Sequence, residues 1–265
     1  MNRIRKTFES LKLSGGKALI PYMTPEYPFK GMTTQLLHTL EHAGADLIEV
    51  GIPFSDPLAD GETIQHSSEI AIRNGATIET ILKCVSEFRR TSQLPILLMG
   101  YINPIFHLRY ANFLAACKAA GVDGVIVPDL PPEESSDFVS ASEQCGISNV
   151  FLIAPTSNEA RIREIDELST DFSYCVSLTG VTGSRSQLGN SGDLDTFLAR
   201  VKANTTKPFV VGFGISRPDH VQHVWRYADG AVVGSSLINA MSNARTLNDA
   251  LNDASLFLQS LRSLP

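Results

Sequence analysis

Apolar residues in this chain gather in short unbroken runs rather than alternating with polar ones. The runs are ALIPYM (18–23), DLIEVG (46–51), PILLMGY (95–101), GVIVPD (124–129), NVFLIA (149–154), FSYCVS (172–177), PFVVGFG (208–214) and GAVVGSS (230–236). Short runs that are apolar throughout suit parallel strands covered on both faces. Between them the apolar positions fall three and four apart, as in Leu36, Leu37 and Leu40, or Val221, Val224 and Trp225. That spacing marks one face of a helix. The last stripe runs through Leu247, Leu251, Ala254, Leu258 and Leu261. Phrases such as AGADLIEV, AGVDGVIV and YADGAVVG repeat one junction, where a helix ends, glycine turns the chain and a strand begins.

Strand–helix units in this succession close naturally into an α/β barrel of the TIM (β/α)8 type, and 265 residues is a common length for one. No linker or low-complexity tract divides the chain, so residues 1–265 are expected to form a single domain, with extra helices at the amino terminus and after the eighth strand. An open doubly wound sheet is the alternative. It is disfavoured because no GxGxxG fingerprint follows the first strand.

Charge narrows the partners. The chain has 22 Lys and Arg against 28 Asp and Glu, a net charge of −6, with no basic block. A nucleic-acid or anionic-membrane surface needs a positive patch, whereas backbone amides hold a small anion without one. Cys84, Cys117, Cys145 and Cys175 are scattered, without C-x-x-C spacing, and read as reduced packing residues. The first residues lack the apolar core of a signal peptide, and no segment approaches about 18 continuous apolar residues. A cytoplasmic protein is expected.

In such a barrel the chemistry collects at the carboxyl ends of the strands. The residues there are Tyr22, Glu49, Tyr101, Asp129, Ala154, Ser177, the Gly212–Gly214 turn, and Gly234 with Ser235. Glycines ending the last two strands let backbone N–H groups approach an anion, and a short helix after Gly234 would aim its dipole at the same point. A phosphate site is expected there, against the plainer reading of tight turns. The segment LTGVTGSRSQLGNSGD is long and rich in Ser, Thr and Gly, as lids often are.

No lysine ends a strand, since Lys17 and Lys207 precede theirs, so a Schiff-base aldolase is disfavoured. His38 with His42, and His220 with His223, have helical spacings that metal pairs can show, yet no third ligand lies near. They read as surface histidines, and no metal is expected. Carboxylates remain. Glu49 ends a strand of Leu47, Ile48 and Val50, where partial burial would raise its pKa and suit it to proton transfer. Asp60 and Asp56 lie in the proline-stiffened loop beyond it, where turn-making is the plainer role for either. A strand-end glutamate among aliphatics needs a partner or a purpose.

EVGIPFSDPLADGETIQ, LMGYINPIF, VPDLPPEES, APTS, GVTG, GFGIS and VVGSS resemble, in order and spacing, the alpha chain of tryptophan synthase. The resemblance implies a metal-free barrel that cleaves indole-3-glycerol phosphate to indole and glyceraldehyde 3-phosphate. It also implies a beta-chain partner, in an alpha2-beta2 heterotetramer, that consumes the indole to make tryptophan; pyridoxal phosphate is expected only in that partner. By resemblance Glu49 is the acid/base, and Asp60 is the carboxylate that accepts the indole N1–H. Tyr22, Tyr101, Asp129 and Tyr174 line or support the indole pocket. Thr182 is the lid residue that meets Asp60. Gly183, Gly212, Gly214, Gly234 and Ser235 form the phosphate cradle, while Pro53 and Asp56 face the partner. Two positions depart from the family pattern: TPEYP (24–28) follows the first strand, and Leu178 stands where an arginine is common. Another phosphate-binding barrel, a sugar-phosphate isomerase or epimerase, is the runner-up; an inactive regulatory chain that only holds a beta partner is the third reading.

Overall fold

A computed structural model of the protein describes residues 2–176, 191–212 and 214–262. Its strands are β1 (Ala18–Met23), β2 (Ile48–Gly51), β3 (Ile96–Met99), β4 (Gly124–Ile126), β5 (Ser148–Val150), β6 (Leu152–Ile153), β7 (Ser173–Val176), β8 (Phe209–Gly212) and β9 (Gly230–Val233). All pair in parallel, in the order β5-β4-β3-β2-β1-β9-β8-β7-β6. The two ends of that order, β5 and β6, are separated in sequence only by Phe151. Its carbonyl accepts from the Tyr174 N–H at 3.1 Å and its N–H donates to Ser169 Oγ at 3.2 Å. Nine strands therefore make eight staves of one barrel, the fifth being broken in the middle. The eight apolar runs mark the staves: ALIPYM coincides with β1, and the others run past their strands at one or both ends.

The surrounding helices are α1 (Arg3–Ser14), α2 (Thr33–His42), α3 (Glu62–Arg73), α4 (Ile78–Phe88), α5 (Ile102–His107) and α6 (Tyr110–Ala120). They continue with α7 (Ser136–Cys145), α8 (Glu159–Leu168), α9 (Ser191–Asn204), α10 (Pro218–Trp225), α11 (Ser235–Met241) and α12 (Leu247–Arg262). Their boundaries follow local chemistry. Asn2, Thr77 and Asn158 cap α1, α4 and α8 by accepting a backbone N–H, and Gly15, Gly121 and Gly146 end α1, α6 and α7 in the left-handed conformation. The stripe at the carboxyl end folds as expected, with Ala254, Leu258 and Leu261 of α12 buried.

Alternation along the strands sorts two cores. Side chains between staves and helices form the larger one. Ala18, Ile20, Leu47, Leu97, Ile126, Val150, Phe172, Val210 and Val232 fill the barrel itself. Helix α1 closes the floor: Ile4 and Phe8 join that inner cluster, with the Phe8 and Phe172 rings 5.3 Å apart. Arg3 and Arg89 pair with buried Asp123 at 2.9 and 3.1 Å, and Arg5 pairs with Asp171 at 2.9 Å. Lys17 and Lys207 are likewise engaged at this end, on Asp229 and on the last carbonyls of α8. The floor is thus a packed, charge-matched plug, which leaves the opposite mouth for chemistry. Among the described residues no helix is long and apolar enough to cross a membrane.

Candidate active site

Strand β2 reads Leu47, Ile48, Glu49, Val50, Gly51, so the period of two that buries Leu47 in the barrel also turns Glu49 inward, one layer nearer the mouth. Glu49 is 1% exposed, and neither carboxylate oxygen has a hydrogen-bond partner among the described residues. An ionised carboxylate in that place would be costly. Burial, and secondarily the negative charge of Asp60, pushes the Glu49 carboxyl up to about 8. It is therefore a protonated acid at neutral pH.

Asp60 reaches the same mouth from the β2–α3 loop. Burial raises it to about 6, while a hydrogen bond from Tyr101 works against the rise. The loop is tied down at several points. Tyr101 Oη accepts the Ala59 N–H at 2.9 Å, Gln65 donates to the Asp60 carbonyl at 2.8 Å, and the Phe54 ring lies 5.6 Å from that of Tyr101. Asp129 is exposed, and its charge acts on the Tyr101 phenol. It accepts the Ile102 N–H at 2.8 Å, fixing the start of α5 just after Tyr101.

Tyr22 and Tyr174 complete the mouth on β1 and β7. The Tyr22 ring covers Gly51 and the Tyr174 ring covers Gly212 so closely that a Cβ at either glycine would fall inside the phenol. Burial holds both phenols well above their usual value, with the charges of Glu49 and Asp60 adding to it. Met99, Leu152 and Val176 pack half-buried against the inner cluster and supply apolar wall. None of the three stood out in the sequence, because an aliphatic at a strand end looks the same whether it lines a pocket or seals a core.

On the opposite side, Gly214 has φ +76° and Ser235 opens α11 directly after Gly234. Ser236 Oγ donates to the Ile215 carbonyl at 2.8 Å, joining the β8 turn to the start of α11. A Cβ on Gly234 would meet the base of the Tyr22 side chain at 3.4 Å, an ordinary packing distance to the neighbouring strand. Gly234→Val is expected to raise the dissociation constant for glycerol 3-phosphate about tenfold or more, because its branches crowd the backbone N–H groups; Gly234→Ala should bind nearly as wild type. Calorimetric titration of the three proteins checks this, and equal affinities would remove Gly234 from the site.

Pro53 is half-buried and Asp56 exposed on the loop, where Asp56 accepts from Ser55 Oγ at 3.0 Å. Ser177, Leu178, Thr182 and Gly183 lie outside the described residues. One expectation needs correction. His220 is not a surface residue but 4% exposed, because α10 turns it toward the β8 strand end, and His223 is paired with Asp195 at 2.7 Å. The departing TPEYP segment builds its own brace. Buried Glu26 accepts from the Gly31 N–H and from Thr33 Oγ1, and Asn74 donates to its carbonyl at 2.8 Å.

Known proteins resemble this chain in sequence and in fold. A protein-family model described as tryptophan synthase alpha chain matches residues 8–263. The tryptophan synthase alpha chain of Chlorobium chlorochromatii is 43% identical, with 98% of this chain and 99% of the relative aligned. That of Roseiflexus castenholzii is 47% identical over 92% and 93%. Among solved structures, tryptophan synthase subunit alpha from Legionella pneumophila superposes with a TM-score of 0.90 at 36% identity, covering 99% of this chain and 97% of that one. A chain of the Pyrococcus furiosus tryptophan synthase a2b2 complex gives 0.85 at 40%, covering 92% and 97%.

Proposed function

The chain belongs to the tryptophan synthase alpha chain family, and from that premise we propose that it cleaves indole-3-glycerol phosphate to indole and D-glyceraldehyde 3-phosphate. The family makes it a lyase. The observation that carries the finer reading is the pair at the mouth: a buried Glu49, without a hydrogen-bond partner among the described residues and held to about 8, beside an Asp60 raised only to about 6.

These two states suit the two halves of the reaction. Glu49 gives its proton to indole C3 while Asp60 accepts the N1–H and stabilises the positive charge that spreads over the ring. Glu49, now a carboxylate, takes the proton of the side-chain hydroxyl. The electrons of that O–H bond form the aldehyde C=O, and those of the breaking C–C bond return to the ring, releasing indole. Glu49 ends with the proton it began with. Tyr22, Tyr101, Tyr174 and the aliphatic wall exclude water from the indole. The backbone at Gly212, Gly214, Gly234 and Ser235 takes the phosphate. No step needs a cofactor in this chain, and pyridoxal phosphate is assigned to the partner alone.

The partner is a tryptophan synthase beta chain in an alpha2-beta2 assembly. Supporting this, Leu58, Phe106 and Leu108 are 89, 64 and 41% exposed around the catalytic loop and α5, and Phe54, His107 and Leu108 line the end of an apolar groove. Three of the six exposed large apolar side chains among the described residues thus gather beside one groove, which suits a protein contact. Phe106→Asp should weaken beta-chain binding at least tenfold while the isolated chain cleaves its substrate at the wild-type rate. The assay that tests the whole reading is cleavage of indole-3-glycerol phosphate with and without a beta chain; absence of indole release in both arms would defeat it.

A further inference from the structure

His220 is a buried histidine that the proposed chemistry does not use. It sits in the first turn of α10, four residues beyond Ser216, and its ring faces back into the turn that follows β8. Ser216 Oγ lies 3.5 Å from Nδ1, and the ring is within hydrogen-bonding reach of the Gly214 backbone, in the sense that favours a proton on the ring. A ring that donates to the backbone there must be donating to the Gly214 carbonyl, since the N–H cannot accept. The next carbonyl, that of Ile215, is taken by Ser236 Oγ at 2.8 Å. The Ile215 carbonyl is thus bonded from α11, while from α10 the His220 ring meets Ser216 and lies within reach of the Gly214 carbonyl.

Both carbonyls belong to the glycine turn assigned above to the phosphate. Gly214, at φ +76°, has no side chain to restrict it, and a turn free to flip its peptide planes could present a carbonyl oxygen to the anion. A planar trans peptide links the two groups rigidly: wherever the Gly214 oxygen goes, the Ile215 N–H points the opposite way. Fixing the oxygens therefore fixes the N–H groups as well. Neutral imidazole can give one hydrogen bond and accept another, which matches a carbonyl and a hydroxyl in the same turn. Of the other charges near the ring, Asp219 Oδ2 lies 4.0 Å from Nε2 and itself pairs with Arg217 at 2.7 Å in solvent, and His223 acts from one turn further along α10. Bonds that are long without ligand tighten when the substrate is bound.

We propose that His220 and Ser236 are positioning residues of the phosphate-holding turn, keeping the Gly214 and Ile215 oxygens off the anion and setting the turn before the substrate arrives. The proposal rests on the phosphate reading given above and adds to it residues that touch neither the substrate nor the reacting atoms.

The test compares wild type, His220→Leu, His220→Gln and Ser236→Ala, each with saturating beta chain. It reads kcat and KM for indole-3-glycerol phosphate, and the dissociation constants of glycerol 3-phosphate and of indole. His220→Leu and Ser236→Ala should each raise KM and the glycerol 3-phosphate constant about tenfold, the effect of about one hydrogen bond, with kcat and indole affinity within about twofold of wild type. His220→Gln, which keeps a donor, should restore most of the loss. Unchanged constants, a parallel loss of indole affinity, a fall in kcat at constant KM, or a glutamine no better than leucine would each overturn the proposal. Should His220→Leu fail to fold, His220→Gln against Ser236→Ala decides the same question, because only the serine variant should bind glycerol 3-phosphate weakly. A wild-type protein that does not bind glycerol 3-phosphate would instead defeat the phosphate reading itself.

Discussion

Glu49→Gln is expected to lower cleavage of indole-3-glycerol phosphate by about 100- to 10,000-fold, the usual contribution of a general acid/base, with glycerol 3-phosphate binding unchanged. The same substitution should make the protein more stable at alkaline pH. In the unfolded chain this carboxyl ionises near 4.5; in the folded protein burial and Asp60 hold it to about 8. Between those values the folded form keeps a proton that the unfolded form has lost, so stability falls as pH rises across the window. Below about 4.5 both states are protonated and above about 8 both are ionised, and the penalty is complete. A shift of this size corresponds to on the order of 3–5 kcal/mol. Glutamine carries no such charge. Urea unfolding at pH 4 and pH 9 should show the variant close to wild type in acid and clearly more stable in base. Retention of a tenth of the wild-type turnover would remove Glu49 from its role, and parallel stability curves would mean the carboxyl ionises normally in the fold.

Asp60→Asn should cost about 100- to 1,000-fold in turnover, the scale of one preorganised electrostatic partner, while preserving the shape of the loop. It should also change the pH profile. The active form in this mechanism has Glu49 protonated and Asp60 ionised, with apparent values of about 8 and about 6. Wild-type kcat/KM is therefore expected to be bell-shaped with its maximum between them, the two limbs belonging to the coupled pair. Asparagine does not titrate, so the acid limb near 6 should disappear, while the alkaline limb should persist but move below about 8, because the Asp60 charge no longer helps to raise Glu49. A variant that keeps both limbs would assign the acid limb to another group and return Asp60 to turn-making. Substrate phosphate also ionises near pH 6, so the comparison between the two proteins is decisive rather than either profile alone.

The two carboxylates were legible for different reasons. Glu49 stands out in sequence because a charged residue interrupts an aliphatic strand, and burial at 1% follows from the same alternation that buries Leu47. Asp60 stands in a turn-rich loop where local chemistry explains it without function; its link to Tyr101 crosses about forty residues and has no local trace. Tyr22 is placed by its strand end and Tyr174 by the family resemblance, yet nothing local reveals that their rings cover Gly51 and Gly212. Asp129 is read from the resemblance as lining or supporting the pocket, and the bond it accepts from the Ile102 N–H is a long-range contact with no local trace. His220 reads as a surface residue because helical spacing around it shows an apolar stripe but not how far round the helix the burial extends. The break at Phe151 was also invisible, since NVFLIA reads as one run whichever neighbours its two halves pair with.

Taken alone, the sequence determined the staves, their parallel pairing, the mouth at their carboxyl ends and the identity of the family. These depend on patterns with short periods, and glycine junctions and strand alternation are encoded within a few residues of where they act. Tertiary structure alone decided the chemical state of the site. Whether Glu49 finds a hydrogen-bond partner, how near Asp60 comes to it, and which side of α10 His220 faces all depend on groups brought together from distant strands and helices. Desolvation is a property of everything around a carboxyl at once, so the values of about 8 and about 6 that make this pair an acid beside an anion exist only in the closed barrel.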